Sequence, residues 1–279
     1  MSIINSLIFI KLKVEKILRK NILVIRSSDF QFYAANKLFS KKFIDLCIIE
    51  NGSSVKTELS INFKNIIKLL KTMLNLKNFM FRIYYFLMFQ KFYGNRAFHN
   101  KRLLKKKNVE LNDNVKKKYF DNINDKECIK YINLFNPQYL ITFGTGIVDI
   151  KQFKNVKTIN IHWGISPIYK GEGIVSSISK NDFKNLGVTI HKLNEKIDDG
   201  EIISQSNIQI DKLDNFYSLG LKMAITGTKL IINHFEKRNA KVLSIENKTS
   251  KVYDSKYYQR NYHDFYLAFK NLSKKKSFL

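Results

Sequence analysis

Residues 21–50 read NILVIRSSDFQFYAANKLFSKKFIDLCIIE, and this stretch decides the fold class. It opens on Asn21 to Arg26, a short apolar run rich in β-branched residues, which reads as a buried strand. Ser27, Ser28 and Asp29 then offer a helix N-cap, because a short oxygen-bearing side chain accepts the unpaired N–H groups of a first helical turn. Phe30 to Phe39 follows as a helical segment, and Asp45 to Glu50 as a second strand ended by Asn51-Gly52. A strand, a helix and a strand in such quick succession predict a parallel sheet with helices on its faces.

The same alternation resumes further along. Asp125 to Phe135 is helical and is broken by Asn136-Pro137, since the residue before a proline is pushed out of the helical region. Tyr139 to Phe143 is a strand that runs into Gly144-Thr145-Gly146. A strand at Thr158 to Ile161, a loop to Gly173, a short helix from Ile174 and strands at Leu186 to Leu193 and Glu201 to Ile210 come next. Phe216 to Phe235 carries Leu219, Met223, Leu230 and Ile231 at helical spacing. Residues 61–93 break the rhythm with a long apolar and basic stretch free of Pro and Gly, read as a helical insertion reaching to about residue 105. Residues 100–118 are Lys-rich and are expected to be solvated. The expected architecture is α/β: a Rossmann-like, mostly parallel sheet with flanking helices, a helical insertion and a short helical and basic C-terminal extension. Its divisions are an amphipathic extension over 1–20, a catalytic domain over 21–210, and a C-terminal helix with a Tyr- and Lys-rich tail over 211–279.

Composition narrows the function classes. With 279 residues, 44% of them hydrophobic, and 22 Phe and 14 Tyr, the chain can bury a sizeable core, which excludes global disorder. Cys47 and Cys128 are its only cysteines, which excludes a disulfide framework and a cysteine-based zinc site and fits a reducing, cytoplasmic setting. The net charge of +26 comes mostly from dispersed lysine; a nucleic-acid reader would more often cluster arginine with aromatics. Nucleic acid is therefore not the expected partner, although any basic surface attracts anions. The N-terminal run MSIINSLIFIKLKVEKILRK is interrupted at Lys11 and Lys13, is too short to span a bilayer and lacks a signal cleavage site. It reads as an amphipathic helix, and a peripheral membrane contact and a homodimer both stay open.

The segment that carries chemistry is Thr158 to Gln205, TINIHWGISPIYKGEGIVSSISKNDFKNLGVTIHKLNEKIDDGEIISQ. Residues i and i+2 of a strand share a face, so the Asn160 amide and His162 imidazole project together. They sit at the C-terminal end of the strand, where open α/β sheets place their ligand crevice. A neutral amide donor beside an imidazole suits a developing oxyanion. Asp198, in Asp198-Asp199-Gly200, is a carboxylate that could orient the ring and raise its pKa. Ser166 to Gly173, with Pro167 and several glycines, forms a non-helical loop able to approach a ligand through its backbone. Each element also has a plain reading: a polar strand end, an Asp-Gly hairpin turn, and a connector.

In order, NIH, SPIYKG, GVTIHKL and IDDGEII resemble the formyl transferase family, which includes glycinamide ribonucleotide, methionyl-tRNA and nucleotide-sugar N-formyltransferases. The strong part of the resemblance covers about 50 residues. It implies that Asn160, His162 and Asp198 are catalytic and that 10-formyl-tetrahydrofolate is the formyl donor, with no metal. It further implies that Gly144, Gly146, Ile147, Val148, His191, Leu193 and Glu195 hold the folate, largely by backbone groups, and that Ser166, Tyr169, Lys170 and Gly171 form a substrate loop. The chain departs from the family at Trp163-Gly164, where several members have Pro-Ser, at Asp199, where a small or hydroxylic residue is commoner, and at Lys170, which replaces a common Arg. Ser27-Ser28-Asp29 offers no glycine-rich phosphate loop, which speaks against a ribonucleotide acceptor. The stretch after Ile210 barely holds a tRNA-gripping domain. The expected acceptor is therefore a small anionic amine, first a nucleotide-linked amino sugar in sugar biosynthesis. A ribonucleotide or methionyl-tRNA acceptor, a folate deformylase using water, and a non-enzymatic basic nucleic-acid- or membrane-binding protein are the alternatives. The deformylase is disfavoured by an expected N-terminal domain that this chain lacks.

Overall fold

The computed structural model describes residues 20–51, 94–153, 155–171, 173–236 and 262–279. The N-terminal extension, most of the 61–105 insertion and part of the tail lie outside the described residues. Seven strands form one sheet: β1 (Asn21–Arg26), β2 (Leu46–Glu50), β3 (Lys117–Phe120), β4 (Tyr139–Phe143), β5 (Lys157–His162), β6 (Gly187–Lys192) and β7 (Ile202–Asn207). Their spatial order is β3-β2-β1-β4-β5-β6-β7. The first five run parallel, and β6 and β7 are antiparallel additions. The mostly parallel sheet expected from residues 21–50 is thus present.

The helices are α1 (Asp29–Ser40), α2 (Arg96–Leu104), α3 (Lys126–Phe135), α4 (Gly173–Ser179), α5 (Phe216–Glu236) and α6 (Tyr262–Ser277). Ser28 caps α1, its hydroxyl accepting the Gln31 N–H at 3.4 Å. Helix α2 falls within the helical insertion expected to reach about residue 105, whereas the reading of 100–118 as a solvated run missed the edge strand β3. The strand exposes Lys117, Lys118 and Tyr119 and so has no apolar signature, and its lysines discourage further edge pairing.

The two faces of the sheet bury different things. Odd-numbered residues of β1, β2, β4 and β5 (Leu23, Ile25, Cys47, Ile49, Ile141, Phe143, Ile159, Ile161) join one core with Ala34 and Leu38 of α1 and Met223 and Ile231 of α5. Ala268 and Leu272 of α6 belong to this same core, so the C-terminal helices complete it. On the opposite face, Ile22, Val24, Leu46, Ile48 and Leu140 pack on Cys128 and Ile132 of α3. That apolar layer does not continue across the sheet. Beyond β1 and β2 the same face carries Thr142, Asn160, His162, Thr189 and His191, all but Asn160 buried. Pairing aligns Thr142 with Asn160, Asn160 with His191, and His162 with Thr189. A sheet face that turns from aliphatic to polar partway across costs free energy unless every polar group is partnered, which marks the place where function was selected.

Candidate active site

The chain crosses from one half of the parallel sheet to the other between β1 and β4, and a crevice opens at the C-terminal ends of the strands there. It holds a cavity of about 1440 Å³, lined by Arg26 and Ser28 after β1, Gly144 to Val148 after β4, Lys170 and Gly171 after β5, and Leu193 to Asp199 after β6. Asn160, His162 and Asp198 all reach it.

Their contacts are specific. The His162 ring is set between Tyr169 O, 2.7 Å from Nε2, and Asp198 Oδ2, 3.3 Å from Nδ1. Asp198 also accepts the Gly171 N–H at 2.8 Å, and its Oδ1 lies 3.4 Å from both Asn160 Nδ2 and His191 Nε2. Asn160 Nδ2 is 3.2 Å from His191 Nε2, while His191 Nδ1 is 2.8 Å from Lys192 O. Ile161, between the two polar residues, points to the other face and into the core.

Local backbone chemistry delivers these groups. The β6–β7 connection is a hairpin closed by Lys192 N–H to Glu201 O at 2.9 Å, so the plain reading of Asp-Gly as a turn also holds. Asp198 sits in the left-handed region at φ 49°, which Asp tolerates better than most residues. A Cβ on Gly200 would lie 1.7 Å from Lys192 O, so only glycine fits there. On the facing loop, Lys170 pairs with Asp199 next to the Gly171–Asp198 bond, so two adjacent contacts tie the loops together.

The two partners of the central pair titrate in opposite senses. Burial pushes the His162 imidazole below its ordinary value, and Asp198 and the Tyr169 carbonyl only partly pull it back. Burial alone would raise the Asp198 carboxyl, but contacts with His191, His162 and the Gly171 N–H outweigh it and hold it at about 2. The resting pair is therefore an ionised carboxylate facing a neutral ring whose Nε2–H is given to Tyr169 O. This differs from a permanently protonated His162. Nδ1 keeps its lone pair toward Asp198, so one proton arriving there is shared with the carboxylate.

Of the folate and loop residues expected from sequence, Gly144, Gly146, Ile147, Val148, Leu193, Glu195, Lys170 and Gly171 line the cavity. His191, Ser166 and Tyr169 do not. His191 is buried beneath Asn160, and Ser166 is buried with its amide on Thr189. Tyr169 turns its hydroxyl to Asp182 and offers the site only its carbonyl. Glu195 lines the cavity and pairs at the surface with Lys151. Residues that the sequence reading missed include Arg26, Thr142 and Glu50. Buried Glu50 accepts the N–H groups of Ile123 and Gly146 and lies 3.4 Å from Arg26 Nε, bracing the 144–148 loop. Their only signal was position at strand ends in the expected crevice.

Among the described residues, no group of three or more His, Cys, Asp or Glu side chains is arranged to hold a metal, and no helix is long and apolar enough to cross a membrane.

The family model described as formyl transferase matches residues 97–234, a span that contains the whole polar cluster. Among curated proteins, the chain is 32% identical over 108 residues to the bifunctional polymyxin resistance protein ArnA of Wigglesworthia glossinidia brevipalpis, covering 38% of this chain and 16% of that one. It is 27% identical over 135 residues to the methionyl-tRNA formyltransferase of Thermodesulfovibrio yellowstonii, covering 47% and 44%. The chain thus spans less than half the length of these curated relatives. Among solved structures it is similar to a sugar N-formyltransferase from a Shewanella species, with 16% identity, a TM-score of 0.49, and 90% and 87% of the two chains covered. Residues 97–234, just under half of the chain and with the signature from NIH to IDDGEII inside them, match the formyl transferase family.

Proposed function

We propose that this chain is a cytoplasmic N-formyltransferase that moves a formyl group from 10-formyl-tetrahydrofolate to the primary amine of a small anionic acceptor, a nucleotide-linked amino sugar. The observation that carries the reading is the meeting of Asn160, His162 and Asp198 in one cavity, although 38 positions separate the outer two.

The residues present fit the donor. Ile147 and Ile197 are among the few exposed large apolar side chains of the described residues, and both line the cavity, Ile147 at 60% exposure. Together with the peptide edges of 144–148 and 193–197 they suit a flat heterocycle with hydrogen-bonding edges, such as a pterin. The donor supplies an activated formyl carbon. The Asn160 Nδ2–H that faces Asp198 at the long distance of 3.4 Å is the group available to an oxygen gaining negative charge. The neutral His162 ring and ionised Asp198 take up the proton that the attacking amine must lose. Held between Nδ1 and Oδ2, that proton can be returned to the departing nitrogen. Arg26, half exposed at the crevice with its Nε 3.4 Å from Glu50, offers a cation to an anionic group on the acceptor.

A second reading, an aminoacyl-tRNA acceptor, is favoured by the curated relatives named methionyl-tRNA formyltransferase and by the net charge of +26. The experiment that separates them presents nucleotide-linked amino sugars and initiator methionyl-tRNA, each with 10-formyl-tetrahydrofolate, at two salt concentrations. Products are read by mass spectrometry as the gain of one CO. Sugar formylation that survives added salt is expected, because few charges are engaged. Efficient formylation of the tRNA alone, falling steeply with salt, would establish the second reading instead.

A further inference from the structure

We propose that Thr142 is a positioning residue whose hydroxyl fixes which way round the Asn160 carboxamide stands, so that Nδ2 faces Asp198 and the cavity while Oδ1 faces the sheet. Its consequence for catalysis rests on the formyl-transfer reading above; the orientation itself does not.

The two ends of a carboxamide have nearly the same shape and opposite polarity. If Asn160 were reversed, the site would present an acceptor where a donor is needed. The sheet settles the matter from both sides. Thr142 is the register partner of Asn160 across β4 and β5, and its Oγ1 lies 2.9 Å from Asn160 Oδ1. Among the described residues, the other acceptor near that hydroxyl is Ile159 O, at a longer 3.4 Å, so its single proton goes to the amide oxygen.

From the other side, His191 Nδ1 is 2.8 Å from Lys192 O, a group that can only accept. The neutral ring therefore carries its proton on Nδ1 and presents a lone pair at Nε2, although Asp198 Oδ1 also lies 3.4 Å from that nitrogen, which makes the Nε2 proton the quantity to measure. Nε2 lies 3.2 Å from Asn160 Nδ2, which donates to it, and the Asp198 carboxylate asks the same nitrogen for its second proton. A reversed amide would set its oxygen against two acceptors at once. The chain of hydrogen bonds thus runs in one direction, from the Thr142 hydroxyl into Oδ1 and from Nδ2 into His191 Nε2.

This accounts for a buried hydroxyl in YLITF, a strand whose other fully buried side chains are Leu140, Ile141 and Phe143. Valine has nearly the shape of threonine and would fill the same space, yet would leave Oδ1 without this donor. The amide would then be freer to turn, and the donor geometry at the cavity would loosen.

The test compares Thr142→Val and Thr142→Ser with the wild-type chain. Nitrogen-15 NMR of the His191 ring and the Asn160 side-chain amide reports proton placement without any substrate. Turnover is measured with 10-formyl-tetrahydrofolate and whichever nucleotide amino sugar is formylated, or with water as acceptor by following formate release. The expected result is an Nδ1–H tautomer for His191 in the wild type and an altered Asn160 amide signal in the valine variant. That variant should also lose about tenfold in kcat with KM for the folate unchanged, and serine should restore the rate. Wild-type kcat in Thr142→Val, or a His191 proton found on Nε2, would overturn the proposal. If Thr142→Val does not fold, the wild-type and Thr142→Ser spectra still decide through the same His191 proton. If the wild-type chain transfers formyl to nothing, the activity reading fails while the ring and amide signals still decide the orientation.

Discussion

Replacing Gly164 with alanine tests the anchoring of the His162 ring more directly than removing the ring itself. A Cβ at residue 164 would lie 2.5 Å from both His162 Nε2 and Tyr169 O, and 3.3 Å from Gly173 Cα. The first two atoms are hydrogen-bonded to each other at 2.7 Å, so the methyl group would wedge into that bond from the side. Reaching an ordinary 3.4 Å contact requires Nε2 and Tyr169 O each to retreat by about 0.9 Å, and Tyr169 O can do so only with its backbone. Overpacking of this kind costs about 1–3 kcal/mol, and weakening the buried His162–Tyr169 hydrogen bond adds about 1 kcal/mol. A destabilisation of about 3 kcal/mol follows, or a fall in melting temperature of roughly 10 °C for a chain of this size. A ring displaced by nearly 1 Å should also lose on the order of 10²-fold in turnover. Urea unfolding and single-turnover formyl transfer on the same preparation read both quantities. Gly164→Ala with wild-type stability and wild-type rate would refute the reasoning, because the His162–Tyr169 contact could not then be what holds the ring.

The other expectations are briefer. His162→Ala and Asp198→Asn should each cost about two or more orders of magnitude in turnover while the chain stays folded by circular dichroism; near wild-type turnover in either removes that residue from the mechanism. Folding lowers the proton affinity of His162, so the unfolded chain binds more protons below its ordinary 6.5 and acid should destabilise the protein. Unfolding curves of wild type and His162→Asn should therefore diverge as the pH drops through that value, wild type losing more, and parallel curves would contradict a buried neutral ring. Asp214 is fully buried and accepts from Arg102 at 2.7 Å, Lys222 at 2.5 Å and Ser218 at 2.8 Å. Asp214→Ala should cost about 3 kcal/mol by removing the buried one of the two carboxylates that Arg102 and Lys222 share, Asp211 being the other, measured as a shifted denaturation midpoint, and a loss below 1 kcal/mol would show the network to be dispensable.

The parts of the fold written plainly in the sequence are those where burial and periodicity agree. Asn21–Arg26 and Tyr139–Phe143 lie in the middle of the sheet, are almost wholly apolar, and have the bounds that their sequence suggested. β3 lies at the edge, where only one neighbour and little burial constrain composition, and Lys117-Lys118-Tyr119-Phe120 looks like any solvated run. The C-terminal residues misled in the opposite direction. They read only as a basic, Tyr-rich tail, yet α6 buries Ala268 and Leu272, and Asn271 Nδ2 donates to Ile178 O at 3.0 Å and Ser179 O at 2.9 Å at the end of α4. A helix needs only one apolar stripe to belong to a core, and a dense lysine background hides it.

The site divides along a similar line, between what one strand can say about itself and what only register reveals. Asn160 and His162 were legible because a strand fixes the relation between i and i+2 without reference to any other element. Asp198 was legible as a turn, and only its place in the IDDGEII motif suggested that the turn delivers a carboxylate to the ring. Nothing local to YLITF, by contrast, says that its threonine faces an asparagine, because that depends on which residue of β4 stands opposite which residue of β5. The same holds for His191, whose position in GVTIHKL suggested contact with a ligand. Antiparallel pairing instead places it beside Asn160, where Lys192 O and Asn160 Nδ2 occupy both ring nitrogens. A histidine with both nitrogens engaged by the protein has little left to offer a ligand, so its contribution has to pass through the residue it holds.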